Sequence, residues 1–185
     1  MVGLAAVAGL FAADAPQFTK DGQLVLPANY REWIFLSSGL GMTYDSGSQR
    51  ASAPNFTNVF VAPSAYRAFL EKGTWPDNTL LILEIRASAS EGSINKGGQY
   101  QTDVVTIEAE VKDTRRFPGS GWAFFALGKA TTGKVIPSSA TCYSCHSANG
   151  AVDNTFVQFY PSLIAVAKQK GTMKAANLAT PAQSH

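Results

Sequence analysis

Thr79-Leu80-Leu81-Ile82-Leu83-Glu84-Ile85-Arg86-Ala87-Ser88 decides the fold, because Leu81, Leu83, Ile85 and Ala87 alternate with Ile82, Glu84, Arg86 and Ser88. A period of two marks a β-strand, and it turns Leu83 toward a buried face. Further on, Val105, Ile107, Ala109 and Val111 alternate with Thr106, Glu108, Glu110 and Lys112. The Ser- and Gly-rich connection between the runs, Ser88 to Gly98, makes the pair a predicted hairpin. Gly121-Trp122-Ala123-Phe124-Phe125-Ala126-Leu127 is apolar throughout, as a central or doubly covered strand is.

Working outward, Phe56 to Val61 is a β-rich run ended by Pro63, and Tyr66, Phe69 and Leu70 then recur at helical spacing before a Gly73 stop. Leu163 to Lys168 predicts a second helix. Tyr30 to Leu36 is an aromatic-rich element, helical turn or strand, and Ser37 to Pro54 reads as a Ser/Gly loop. Trp33, Trp75 and Trp122 are expected in the core. The reading is α+β: a mostly antiparallel β-sheet with a few helices, one domain over residues 16–170, a leader at 1–15 and a loose tail at 171–185.

With 185 residues, 45% hydrophobic and 15% charged, the chain has enough apolar material for a core. A net charge of +2 without a basic run speaks against nucleic acid as a partner. The stretch from Met1 to Ala15 resembles the apolar core and small-residue end of a secretory signal, too short to span a bilayer. No Lys or Arg precedes Lys20, so the usual positive start is lacking, and the stretch reads as a signal without its beginning or as a mobile N-terminal tail, export being the better fit.

The only two cysteines lie in Thr141-Cys142-Tyr143-Ser144-Cys145-His146, the C-x-x-C-H spacing of a haem attachment site. Two thiols three positions apart can add to two vinyl groups on a haem while the next imidazole reaches the iron. Cys142 and Cys145 are therefore the expected thioether residues of one haem c, and His146 the expected metal ligand. A redox dithiol, a disulfide or half of a zinc site are the alternatives. Zinc needs four ligands and the only other histidine is His185; a thioredoxin-like pair belongs early in a βαβ unit. Covalent haem attachment is periplasmic chemistry in bacteria, which agrees with an exported chain.

Across the iron from His146 the candidates are few. Met173 lies in a polar tail and Met42 in a Gly-rich loop, so the simplest expectation is an open sixth position that binds small molecules, with His/Met electron transfer as the alternative. Helix-bundle cytochromes c′ are also five-coordinate, but the predicted strands argue against that fold.

Tyr30-Arg31-Glu32-Trp33, Val59-Phe60-Val61-Ala62-Pro63, Glu108 to Asp113 followed by Arg116-Phe117, Trp122-Ala123-Phe124, and Phe156-Val157-Gln158-Phe159-Tyr160-Pro161 together resemble the cytochrome P-460 family, in the same order. The resemblance covers about Gly22 to Lys168. It implies an antiparallel-sheet fold with one c-type haem, a periplasmic homodimer and a possible electron-transfer cytochrome partner. Within that family, cytochromes P-460 proper oxidise hydroxylamine to nitrous oxide and carry a lysine bonded to the haem ring. Cytochromes c′-beta lack the bond, have an apolar distal pocket and bind nitric oxide and carbon monoxide. The resemblance puts Leu83 where the cross-linking lysine would stand, and Phe35 and Phe60 at distal aromatic positions. Lys96 and Lys112 remain as substitutes, more simply read as solvated lysines. Glu84, Arg86, Glu108 and Glu110 are either a solvated face or a network behind the haem. A small nitrogen-oxide ligand is the expected partner, hydroxylamine turnover the alternative.

Overall fold

The computed structural model describes residues 14–44 and 53–177. The leader up to residue 13, residues 45–52 of the Ser/Gly loop, and the tail from 178 with His185 lie outside the described residues.

The two alternating runs form strands β5 (Thr79–Ala89) and β6 (Tyr100–Lys112), paired antiparallel from Thr79↔Lys112 to Ala89↔Tyr100. The other strands are β1 (Gln17–Phe18), β2 (Leu24–Val25), β3 (Ile34–Leu40), β4 (Phe56–Val61), β7 (Trp122–Gly128) and β8 (Thr132–Val135). All eight make one antiparallel sheet in the order β1-β2-β8-β7-β6-β5-β4-β3. Register shifts interrupt the β3–β4, β5–β6 and β6–β7 pairings, and each such bulge adds twist, so the sheet curls.

Helix α1 (Pro63–Lys72) starts on Pro63, whose fixed φ suits a first helical position, and stops at Gly73, held at φ 74°. A Cβ at Gly73 would meet the Lys170 side chain at 2.6 Å, so the stop also brings the C-terminal segment close. Helix α2 (Thr141–Asn149) carries the Cys/His motif, and α3 (Pro161–Gln169) contains the predicted second helix. The three tryptophans are buried in the core with Tyr30, Phe69, Leu80, Phe125 and Leu163.

Three expectations change. Tyr30 to Leu36 is both helical turn and strand, a 3-10 turn at Tyr30–Glu32 followed by β3, and β3 continues through Ser37 to Leu40 into the expected loop because β4 supplies ladder partners. The tail begins packed: Met173 is buried, Thr172 Oγ1 donates to the Gly73 carbonyl and Lys174 Nζ to that of Ser147. Glu84, on the expected polar side of β5, is 2% exposed, because the face opposite Leu83 is covered as well. Its carboxylate accepts from Tyr30 Oη, Arg31 and Arg86.

Candidate functional site

Cross-strand registration builds one wall of a cavity. Ser37 opposes Val59, Val59 opposes Leu83, and Leu83 opposes Glu108; on the next level Leu81 opposes Glu110, and Glu110 opposes Phe124. All of these line a single cavity of about 830 Å³, its mouth included. The wall is mixed in character because β5 presents its apolar side and β6 its acidic side to the same space. Cys142 and His146 of α2 line the opposite part, with Phe156, Phe159 and Tyr160 from the segment that follows.

Helical geometry sets the motif. Cys142, Cys145 and His146 are at i, i+3 and i+4, so they lie on one side of α2. Tyr143 points elsewhere and fastens the helix: its hydroxyl donates to the Ile136 carbonyl at 3.0 Å and accepts from the Phe124 N–H at 3.4 Å. Both thiols are free and half-buried.

The imidazole of His146 sits between two aromatic rings, 4.5 Å from the centroid of Phe124 and 4.4 Å from that of Phe156. Its Nδ1 lies 2.9 Å from the backbone oxygen of Asn154. A carbonyl can only accept, so this contact places the proton on Nδ1 and leaves the Nε2 lone pair free. Burial lowers the pKa of the ring, against the bond to Asn154, which raises it. A neutral, oriented imidazole is the form that binds a metal.

Glu110 approaches the same Nδ1, with Oε2 at 3.4 Å. That separation does not make an ion pair: the Nδ1 proton is engaged by Asn154, and Oε2 is buried without a hydrogen-bond partner among the described residues. Desolvation pushes the Glu110 carboxyl up to about 8. Glu108, one step along the same face, is exposed at the cavity mouth. Sequence reasoning left both carboxylates undecided between solvent and a network; the pairing of Glu108 with Leu83 was the missing signal, since it depends on hairpin register.

Of the other predicted residues, Leu83 is on the cavity, half-buried. Phe35 and Phe60 are not among the lining residues; their rings meet edge to face at 5.7 Å, as do those of Phe60 and Tyr30, on the other face of the sheet. Phe60 is there by plain alternation with Val59 on β4; for Phe35 the cause is the bulge before Ser37, since Leu36 is the extra residue and Ser37, not Phe35, shares the face of Val59. Lys96 is exposed, and Lys112 is bonded to Asp153 and the Trp75 carbonyl; no lysine lines the cavity among the described residues. Met42 and Tyr44 do line it, whereas Met173 does not.

The residues present fit a flat, largely apolar macrocycle with a metal: an open cavity with aromatic and aliphatic walls, one neutral imidazole and two thiols on one helix. Among the described residues no group of three or more acidic, cysteine or histidine side chains is arranged to hold a bare metal ion. No curated protein matches the chain. The family model for cytochrome P-460 matches residues 27–157, a span that takes in β3 to β8, both thiols, His146 and Asn154, and the chain belongs to that family of haem-binding proteins.

Proposed function

We propose that Cys142 and Cys145 hold one haem through two thioether bonds, that His146 Nε2 is its proximal ligand, and that the sixth position takes nitric oxide or a related small nitrogen oxide, as in cytochromes c′-beta. Leu83 carries this reading, since it stands on the cavity wall where no lysine does. Bound haem supplies the iron that bonds a diatomic ligand. The protein's part is to keep His146 neutral through Asn154, to clamp its ring between Phe124 and Phe156, and to exclude water with Val59, Leu81 and Leu83. Thioether attachment goes with export to the periplasm, and a homodimer and an electron-transfer cytochrome partner are part of the proposal.

Oxidation of hydroxylamine is the second reading, favoured by one observation: Glu108, paired across the ladder with Leu83, brings an exposed carboxyl group to the cavity, and such turnover requires a proton acceptor. Mass spectrometry of haem peptides and a nitric oxide titration separate the two. Haem joined only at Cys142 and Cys145, high-spin ferrous iron, ready nitric oxide binding and absent hydroxylamine turnover support the first. A haem-joined lysine peptide or turnover supports the second. A methionine-to-iron charge-transfer band would identify Met42 as sixth ligand and remove both.

A further inference from the structure

We infer that Lys112 and Asp153, with Trp75, are positioning residues that hold the Asn154 carbonyl on the imidazole of His146 and so set its strength as a ligand. The inference rests on His146 being the proximal haem ligand.

The geometry begins with the backbone. Asp153 and Asn154 both adopt left-handed conformations, φ 52° and 63°, a cost for residues with a Cβ that surrounding contacts must offset. Those contacts are present on each side of Asn154. Ahead of it, Asp153 Oδ2 accepts from Lys112 Nζ at 2.8 Å and from the Trp75 backbone N–H at 3.1 Å. Lys112 Nζ donates a second time, to the Trp75 carbonyl at 2.8 Å. Behind it, Thr155 is fully buried; its hydroxyl accepts from the Trp75 indole N–H at 2.8 Å and donates to the Val152 carbonyl at 2.7 Å. The oxygen between these two anchors is the one that meets His146 Nδ1.

A third constraint comes from the end of α2. Gly150 N–H closes the helix on the His146 carbonyl, and a Cβ on Gly150 would lie 2.5 Å from the Asn154 carbonyl carbon and 2.6 Å from the His146 oxygen. No side chain fits there, so the turn after the helix lies directly against the segment that receives the imidazole proton. The last residue of β6, the turn after α2 and the turn after α1 are thereby joined around one hydrogen bond. A hydrogen bond from Nδ1–H makes Nε2 a stronger donor, and an acceptor free to drift would make it a weaker one. Lys112 thus has a defined task although it lies outside the cavity.

The test uses haem-loaded Lys112→Met, Asp153→Asn and Gly150→Ala proteins, read by the iron–histidine stretching frequency of the ferrous form and by the reduction potential. Each substitution should lower the stretching frequency and raise the potential, and Lys112→Arg, which retains donors for Asp153 and Trp75, should return both toward the parent values. An unmoved frequency in Lys112→Met, even with a lower melting temperature, overturns the inference by reducing these contacts to scaffolding. Should that variant fail to accumulate, Asp153→Asn decides by the same readouts, because Asn keeps the shape and tolerates positive φ. Parent protein without haem would instead overturn the proposed function, an outcome distinct from a haem protein whose stretch does not respond.

Discussion

Replacing Glu110 by Leu should stabilise the haem-loaded protein. The Glu110 side chain is 13% exposed, its Oε2 has no hydrogen-bond partner among the described residues, and burial pushes its carboxyl up to about 8, so at neutral pH it is chiefly a neutral acid with an unpaired oxygen. A buried polar group without a partner costs about 1–3 kcal/mol, and an apolar group of similar shape removes that cost. Its cross-strand neighbours Leu81 and Phe124 are apolar and offer the new side chain contacts of its own kind. For a chain of this size each kcal/mol moves the midpoint by about 2–4 °C, so a rise of about 2–12 °C is expected. Thermal unfolding at pH 7, followed by far-ultraviolet circular dichroism, measures it. A fall of several degrees would refute the reasoning, since it would mean that the carboxyl is satisfied in the loaded protein and that its retention contributes to stability. A rise would mean that the chain keeps an unfavourable carboxyl beside the cavity, as groups kept for chemistry are.

Other substitutions test the frame around the site. In Glu84→Gln the charge that accepts from Tyr30, Arg31 and Arg86 is lost, costing about 1.5–3 kcal/mol near neutral pH. Burial raises the Glu84 pKa but those hydrogen bonds outweigh it and hold it below 4.5, so its stabilisation is complete above that value and fades as the pH falls below it; the variant should show a shallower acid limb in melting temperature against pH. Phe60→Ala should cost about 2–3 kcal/mol through the lost rings of Tyr30 and Phe35. Its haem spectrum and nitric oxide affinity should match the parent, and a shifted Soret band would put Phe60 back beside the haem. Tyr143→Phe removes the hydroxyl that ties α2 to Ile136 and Phe124, a loss of about 1 kcal/mol expected in urea unfolding.

The hairpin, α1, α3 and the apolar β7 were legible because local period and punctuation determine them: Leu81, Leu83 and Ile85 repeat every two residues, and Pro63 and Gly73 bracket ten helical ones. The short strands β1, β2 and β8 carry too few residues to show a period and exist only because each finds a partner. The motif Cys142, Cys145, His146 was legible as chemistry but not as a helix, since α2 buries no residue completely and has no apolar stripe to read.

The site itself was half legible, and the missing half follows from register. Alternation states that Glu108 and Glu110 share a face, and that Leu81 and Leu83 share one, but it cannot state that the two faces coincide. The pairs Leu83↔Glu108 and Leu81↔Glu110 make them coincide, and an acidic row and an apolar row then line one cavity. A shift of one residue in the hairpin would have sent both carboxylates to the Ile82 face and left a wholly apolar wall. Register also sets the side of Phe35, which the resemblance placed at a distal position: the inserted residue Leu36 turns it away from the face of Ser37 and Val59. The two readings proposed above therefore turn on a property of strand pairing, and Leu83 and Glu108, neighbours across one ladder, are where they part: nitrogen-oxide binding rests on a cavity wall without a lysine among the described residues, and hydroxylamine turnover on a carboxyl group beside it.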